Sequence, residues 1–288
     1  TLDFNRTVGS VEVDRSGSDS KFDLNGNALT VSGTANIAAG EVSNSASSRT
    51  LIVNGTSGGL AGNSDVRVNG TLSDDLEAEG KTFVTEDGKL TGNVTAAGDV
   101  EVNGTLTSTD LAVEGNVDAS SAETFNPTNV AVQGNSDQSI SLPSDLTVKD
   151  FTVEQTTPSG DEVPSTSVSG GNVTVDGSPS DDDSDEGLDL DNGLLVVEGE
   201  NALDLNENGF SRSTADEDTS HVVGSVTQRV TSENAVVEYP VGSSNASYRP
   251  FGFIFPEDPT QNTDITVTHV DENPGEVGGL PFTDNTEE

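Results

Sequence analysis

Between Leu29 and Asp118 the chain restates one short phrase. Leu-Thr-Val-Ser-Gly-Thr at 29–34 becomes Leu-Ile-Val-Asn-Gly-Thr at 51–56, Val-Arg-Val-Asn-Gly-Thr-Leu at 66–72 and Val-Glu-Val-Asn-Gly-Thr-Leu at 100–106. Each copy alternates apolar and polar residues, the period-two pattern of a strand with one buried face. Each ends in Asn-Gly or Ser-Gly, residues that readily take positive φ at a turn. So short a unit cannot bury its apolar face alone and finds cover only against the next copy, so the repetition implies stacking. Turn glycines at Gly33, Gly55, Gly70, Gly80, Gly92, Gly104, Gly115 and Gly134 fall 10 to 22 residues apart. Some intervals therefore hold one strand and others nearly a whole coil.

The fold expected from this pattern is all-β: a right-handed parallel β-helix over 1–205, followed by a small C-terminal β-sandwich with an extended tail over 206–288. Inward positions are expected at Leu51, Val53, Val66, Val68, Leu90, Val94, Val100, Val102, Leu111, Val113 and Val117. Val8, Val11, Val13, Phe22 and Leu24 read as the first rungs, and strands continue through Val130–Val132, Ile140–Leu142, Leu146–Val148 and Phe151–Val153. Only Ala35–Ala39 and Asp74–Glu79 leave room for a turn of helix. Most aromatics fall late, at Phe210, Tyr239, Tyr248, Phe251, Phe253, Phe255 and Phe282, which is why a separate C-terminal core is expected. The apolar run Phe251–Phe255 is read first as a strand of that core and second as an edge that docks a neighbouring subunit.

Charge narrows the setting. The 288 residues carry 51 acidic and 11 basic side chains, a formal net charge of −40. Low hydrophobicity with such charge is the signature of disorder, but disordered segments do not keep placing Val and Leu two residues apart. The Lys-poor, aromatic-poor acidic composition resembles that of halophile proteins. In molar salt the Debye length falls to about 3 Å and self-repulsion is screened. An acidic secreted protein that binds calcium is the alternative. Nothing resembles a basic patch for displacing phosphate counterions, so nucleic acid is not an expected partner. Cys is absent, which removes disulfides and thiolate sites. Met is absent too, so Thr1 is expected to follow a removed signal or pro-segment. No apolar run is long enough to span a bilayer. Seven Asn-X-Ser/Thr sequons, at Asn5, Asn54, Asn69, Asn93, Asn103, Asn172 and Asn245, are read first as turn chemistry.

Candidate chemistry is sparse. Asp181, Asp183 and Asp185 alternate in the densest run of negative charge, as calcium-loop carboxylates do. Counted from Asp181, however, positions six and twelve are Glu186 and Asn192, not the Gly and Glu of an EF-hand. The run is read as a solvated loop, with Ca2+ the one cofactor expectation. His221 and His269, the only histidines, are read as exposed strand residues. No Gly-x-Ser-x-Gly elbow and no phosphate loop appears, so an enzyme is not expected.

The C-terminal third carries a family resemblance. Leu188–Leu205 looks like a last β-helix coil; Val222-Val-Gly224, Pro240-Val-Gly242 and Tyr248-Arg-Pro250 then follow in order. This series is similar to the C-terminal region of β-helix surface and adhesin-like proteins of bacteria that use type IX secretion. The string Asp23–Gly33 resembles the repeats of large bacterial surface proteins. Members of that family often end in a sorting domain, and the sequence reaches Glu288 without one. The resemblance implies a secreted, extracellular structural subunit of a filament, surface layer or adhesive fibre. Copies of itself are its expected partners, with contacts at Thr1–Val13 and in the tail from Asn273. A monomeric adhesin that binds glycan or a cell-surface component through the C-terminal domain is the alternative. A polysaccharide-active β-helix enzyme is the third reading.

Overall fold

The structure is a computed structural model. It describes the strand backbones between Arg6 and Leu72, and the chain from 75 to 269 except 79, 158–162, 178–186, 207–209, 213–219, 231–235, 245–246 and 255–262. Every regular element among the described residues is a strand. Val94–Ala96 lies parallel between Leu76–Ala78 and Asp110–Val113. Val100–Val102 then lies parallel between Thr82–Val84 and Val117–Asp118, and Thr105–Leu106 between Lys89–Leu90 and Thr124–Phe125. One circuit of the chain thus lays one strand on each of three faces and returns one strand spacing further along. The same order runs back to Arg6–Val8, Val11–Asp14 and Lys21–Asp23. Ala35–Ala39, where a helical turn had room, is a strand parallel to Val11–Asp14, and Leu76–Ala78 is a strand as well. A single helical turn has no stability of its own, whereas pairing with two neighbouring coils satisfies the backbone.

Register turns the alternation into a core. Leu76, Val94, Leu111, Val130, Phe151 and Leu188 stand in one column. Ala78, Ala96, Val113, Val132, Val153 and Leu190 stand in the next, and both columns are buried. Of the inward positions expected from sequence whose side chains are described, Val68, Leu90, Val94, Val100, Val102, Leu111, Val113 and Val117 are all buried. Each such side chain is worth roughly 1.5–3 kcal/mol when removed from water.

The corners are held from coil to coil by Asp and Asn side chains. Asp75 Oδ1 accepts the Asn93 backbone N–H at 3.0 Å, and Asn93 Oδ1 accepts that of Asp110 at 3.1 Å. At a second corner Asp99 Oδ1 accepts from Asn116 N–H (2.9 Å), Asn116 Oδ1 from Ser139 N–H (2.9 Å), and Asp137 Oδ1 from Ser165 N–H (2.9 Å). At a third, Asp145 accepts from Asn172 N–H (2.8 Å) and Asn172 from Ala202 N–H (2.9 Å). The glycine of the Asn-Gly-Thr phrase has a different role from the one its sequence suggests. Gly104 does not take positive φ; a Cβ there would run into the carbonyl oxygens of Thr85 and Gly88 in the preceding coil. Close backbone approach, not turn conformation, selects glycine at that position.

Parallel stacking continues past Leu205. Phe210–Arg212 and Ser220–Val223 both pair with the ten-residue strand Leu188–Val197, which bends from one face to the next. Ser225–Val230 stacks on Ala202–Asp204. The pattern changes after Val230: Thr263–Thr268 lies antiparallel on Ser225–Val230. Val236–Tyr239 pairs antiparallel with Phe251–Ile254, and Gly242–Ser243 with Ser247–Tyr248. The described strands of this region are therefore one closing strand and two short antiparallel pairs.

Candidate functional site

Asp181, Asp183 and Asp185 lie outside the described residues. Among the described residues, no three His, Cys, Asp or Glu side chains converge where they could hold a metal ion. No helix among them is long and apolar enough to cross a membrane. His269 follows the closing strand Thr263–Thr268 and is half-buried.

His221 corrects its expectation: it is fully buried rather than exposed on its strand. Its neighbours explain why. Ser220, His221 and Val222 are all buried in succession, and so are Leu194 and Leu195, which pair with His221 and Val222. A strand whose consecutive residues are buried is covered on both faces. Val222 looks into the coil, and His221 looks outward beneath the hairpin Gly242–Tyr248. Its Nε2 lies 2.9 Å from the Ser243 carbonyl oxygen. A carbonyl only accepts, so Nε2 carries the proton and donates it. The Tyr248 ring stands beside the imidazole, with centroids 6.2 Å apart at a 39° tilt. Below it the Val222 N–H donates to Pro240 O at 2.7 Å. This cap therefore covers the outer face of the last coils.

The ribbon that continues the cap has one tucked side and one bare side. Val237 and Tyr239 are buried, and burial pushes the Tyr239 phenol up to about 12. Glu238 points the other way and accepts the Tyr248 hydroxyl at 2.6 Å. On the partner strand Phe251, opposite Tyr239, is 46% exposed, and Ile254, on the side of Glu238, is 64% exposed. The reading of Phe251–Phe255 as a core strand fails at these two positions. Their partner strand already fills the space over the coils, which leaves this one at the rim.

A second polar feature lies on the flank of the stack. Glu114, Gln133 and Glu154 follow the register column Val113, Val132 and Val153, so they stand one above another. With Ala97, Gly134, Asn135, Ser136 and Thr156 they line an open recess of about 620 Å³. Gln133 Nε2 donates to Glu154 Oε2 at 3.2 Å. Beneath it two buried amides tie the corner together. Gln155 Nε2 donates to Gln138 Oε1 (2.9 Å) and to Ser136 O (3.1 Å), and Gln138 Nε2 to Gly115 O (3.2 Å). Gly193, at φ +109°, makes room for Gln155, whose Oε1 would lie 2.5 Å from a Cβ there. Sequence reasoning missed both glutamines. The signal was their place at inward steps of otherwise apolar strands, in Gln138-Ser-Ile140 and Val153-Glu-Gln155.

Compared with known proteins, the chain matches no family model, no curated protein and no solved structure.

Proposed function

We propose that this protein is a secreted structural subunit of a cell-surface or extracellular assembly, such as a filament, surface layer or adhesive fibre. The observation that carries the reading is the use the coils make of their polar residues. Asp75, Asn93, Asp99, Asn116, Asp137, Asp145 and Asn172 spend their side-chain oxygens on the backbone of the next coil. Side chains that elsewhere carry chemistry here stiffen a rod. On this reading the stack is a right-handed parallel β-helix, the hand that parallel crossovers take in about 98% of cases. The strands after Val230 are then its sandwich-like cap, and the acidic surface is an adaptation to high salt. The Val-Val-Gly, Pro-Val-Gly and Tyr-Arg-Pro series supports placing the protein beside the surface proteins of type IX-secreting bacteria.

Assembly is end to end, and the C-terminal contact is made by the cap. Continuation of the coils is disfavoured there because Thr263–Thr268 already lies antiparallel on the last strand of one face. Electron microscopy of the purified chain in about 1 M NaCl, where charge is screened over about 3 Å, tests the proposal. Ordered fibres, sheets or joined rods are expected, and isolated particles alone would refute it. The recess at Glu114, Gln133 and Glu154 favours a second reading, a monomeric adhesin whose flank binds glycan. Glycan-array binding by isolated particles would establish that alternative, and release of soluble sugar would make the protein a polysaccharide-active enzyme.

A further inference from the structure

We infer that two corner asparagines, Asn93 and Asn172, are N-glycosylation sites and carry oligosaccharides on the flanks of the stack. The inference goes beyond the assembly proposed above and rests on that reading only for export of the chain.

Of the seven sequons, those at Asn93, Asn103 and Asn172 have their asparagine side chains among the described residues. The corners tell them apart. Asn93, Asn116, Asn129 and Asn172 each stand at a corner, directly before a buried valine. Asn116 Nδ2 donates to Asp99 Oδ1 at 3.1 Å, and Asn129 Nδ2 to Asp110 Oδ1 at 2.8 Å. Neither residue lies in a sequon, because Asp118 and Ala131 stand two positions on. Asn93 and Asn172 give the ladder their oxygens alone, accepting from the Asp110 and Ala202 N–H groups. Their Nδ2 atoms make no hydrogen bond among the described residues, and each is followed two positions on by threonine, Thr95 and Thr174. The corner amides left unspent are therefore the ones in the acceptor pattern Asn-X-Thr. Asn103 falls out on the same ground. Its Nδ2 is directed at Glu101 Oε1 (3.5 Å), and Gly104 beside it is pressed against the preceding coil.

The ladder itself does not call for an amide. Asp75, Asp99, Asp137 and Asp145 accept the same kind of backbone N–H with a carboxylate, in a chain with 51 acidic residues. What the amide adds at Asn93 and Asn172 is a nitrogen that can take a sugar. The donor class is an oligosaccharide linked through phosphate to a polyprenyl lipid. The Nδ2–C1 bond forms while the C1–O bond to phosphate breaks, its electron pair stays on the phosphate, and one amide proton leaves to a base. Oδ1 remains a carbonyl oxygen, so the N–H groups of Asp110 and Ala202 keep their acceptor. Thr95 and Thr174 occupy the outward steps of Val94–Ala96 and Val173–Val175, away from the core.

The test is intact-mass and peptide mass spectrometry of the full chain purified from the cells that make it. The expected mass exceeds the 29.6 kDa of the bare chain by two oligosaccharides, found on the peptides that contain Asn93 and Asn172. Thr95→Ala should remove one and Thr174→Ala the other, with both asparagines still in their ladders. Thr95→Ser, which restores an acceptor pattern, should keep its sugar, and Thr105→Ala, in the sequon of Asn103, should change no glycan. If the amide of Asn93 served only to hold Asp75 and Asp110 apart, residue 95 would have no bearing on the mass. A chain of bare mass, or sugar that persists on both peptides in the double variant of Thr95→Ala and Thr174→Ala, would overturn the inference. Bare chains that form ordered arrays would sink it and leave the proposed function standing. Glycosylated chains that stay isolated would sink the assembly and leave these sites in place.

Discussion

The middle coils, from Asp75 to Thr156, and the last coil with its cap solve the same problem in opposite ways. In the middle, each strand hides one side and shows the other: Val94 and Ala96 are buried while Thr95 is exposed. At Leu194–Leu195 and Ser220–Val222 both sides are covered, the inner by the core and the outer by the hairpin around Ser243. The middle coils carry acids at their corners, where Asp75, Asp99 and Asp137 hold the next coil. The region after Val230 is acidic too: from 231 to 268 Glu233, Glu238, Glu257, Asp258 and Asp264 stand against Arg249 alone.

The strongest way to break this contrast is to attack the column both regions share. Leu111→Ala removes a fully buried side chain that touches the coils on either side, and should cost about 2–5 kcal/mol, read by urea denaturation in high salt. A loss below about 1 kcal/mol would mean the columns are not one packed core. Leu194→Ala acts on the cap alone. It should cost about 2–4 kcal/mol of local stability, seen as faster exchange of the Val222 and Arg249 amides, which bond Pro240 and Val241. Amides of Val100 and Asn103 should keep their protection, and equal loosening of both regions would erase the distinction between them.

Asn116→Ala sharpens the comparison at a corner. It strands the Ser139 N–H and hydroxyl that Asn116 Oδ1 accepts at 2.9 and 3.0 Å. The expected cost is about 1 kcal/mol, with exchange at Ser139 accelerated and the cap untouched. The smallest effects are those of pH, and they fall on the closing region. Burial raises the Tyr239 phenol to about 12, so the neutral form stabilises the cap. That contribution is complete below pH 10 and is lost as pH rises toward 12. Absorbance of tyrosinate together with exchange at Val222 should show the cap loosening across that range, and Tyr239→Phe should abolish the step. At the other end of the scale, the hydrogen bond from Arg229 holds the Asp264 carboxyl below its usual range. The closing strand should therefore hold above that range and loosen as acid protonates Asp264.

The coil core was legible in the sequence because strand burial has period two. Val94, Val100, Val102, Leu111, Val113 and Val117 could be placed inward from their immediate neighbours alone. What depended on the next coil could not be read locally. The partner of Asn116 is Ser139 and that of Asn172 is Ala202, separations that change from coil to coil. Gly104 was legible as glycine at a turn, but the backbone of the preceding coil is what excludes a side chain. The stacking of Phe210–Arg212, Ser220–Val223 and Ser225–Val230 was hidden for the same reason. His221 and Phe251 were misread because coverage by the cap is a tertiary property. A signal was nevertheless present: Leu194-Leu-Val-Val197 and His221-Val-Val223 break the alternation where both faces are covered. The calcium expectation at Asp181, Asp183 and Asp185 falls outside the described residues.

The central claim is that the coils are scaffold and the cap is the contact. Electron microscopy of wild type and Ile254→Asp, side by side in about 1 M NaCl, tests it most directly. Joined or ordered rods are expected for wild type and separate rods of unchanged shape for the variant. Wild-type particles that never join, or a variant that assembles as wild type does, would contradict it.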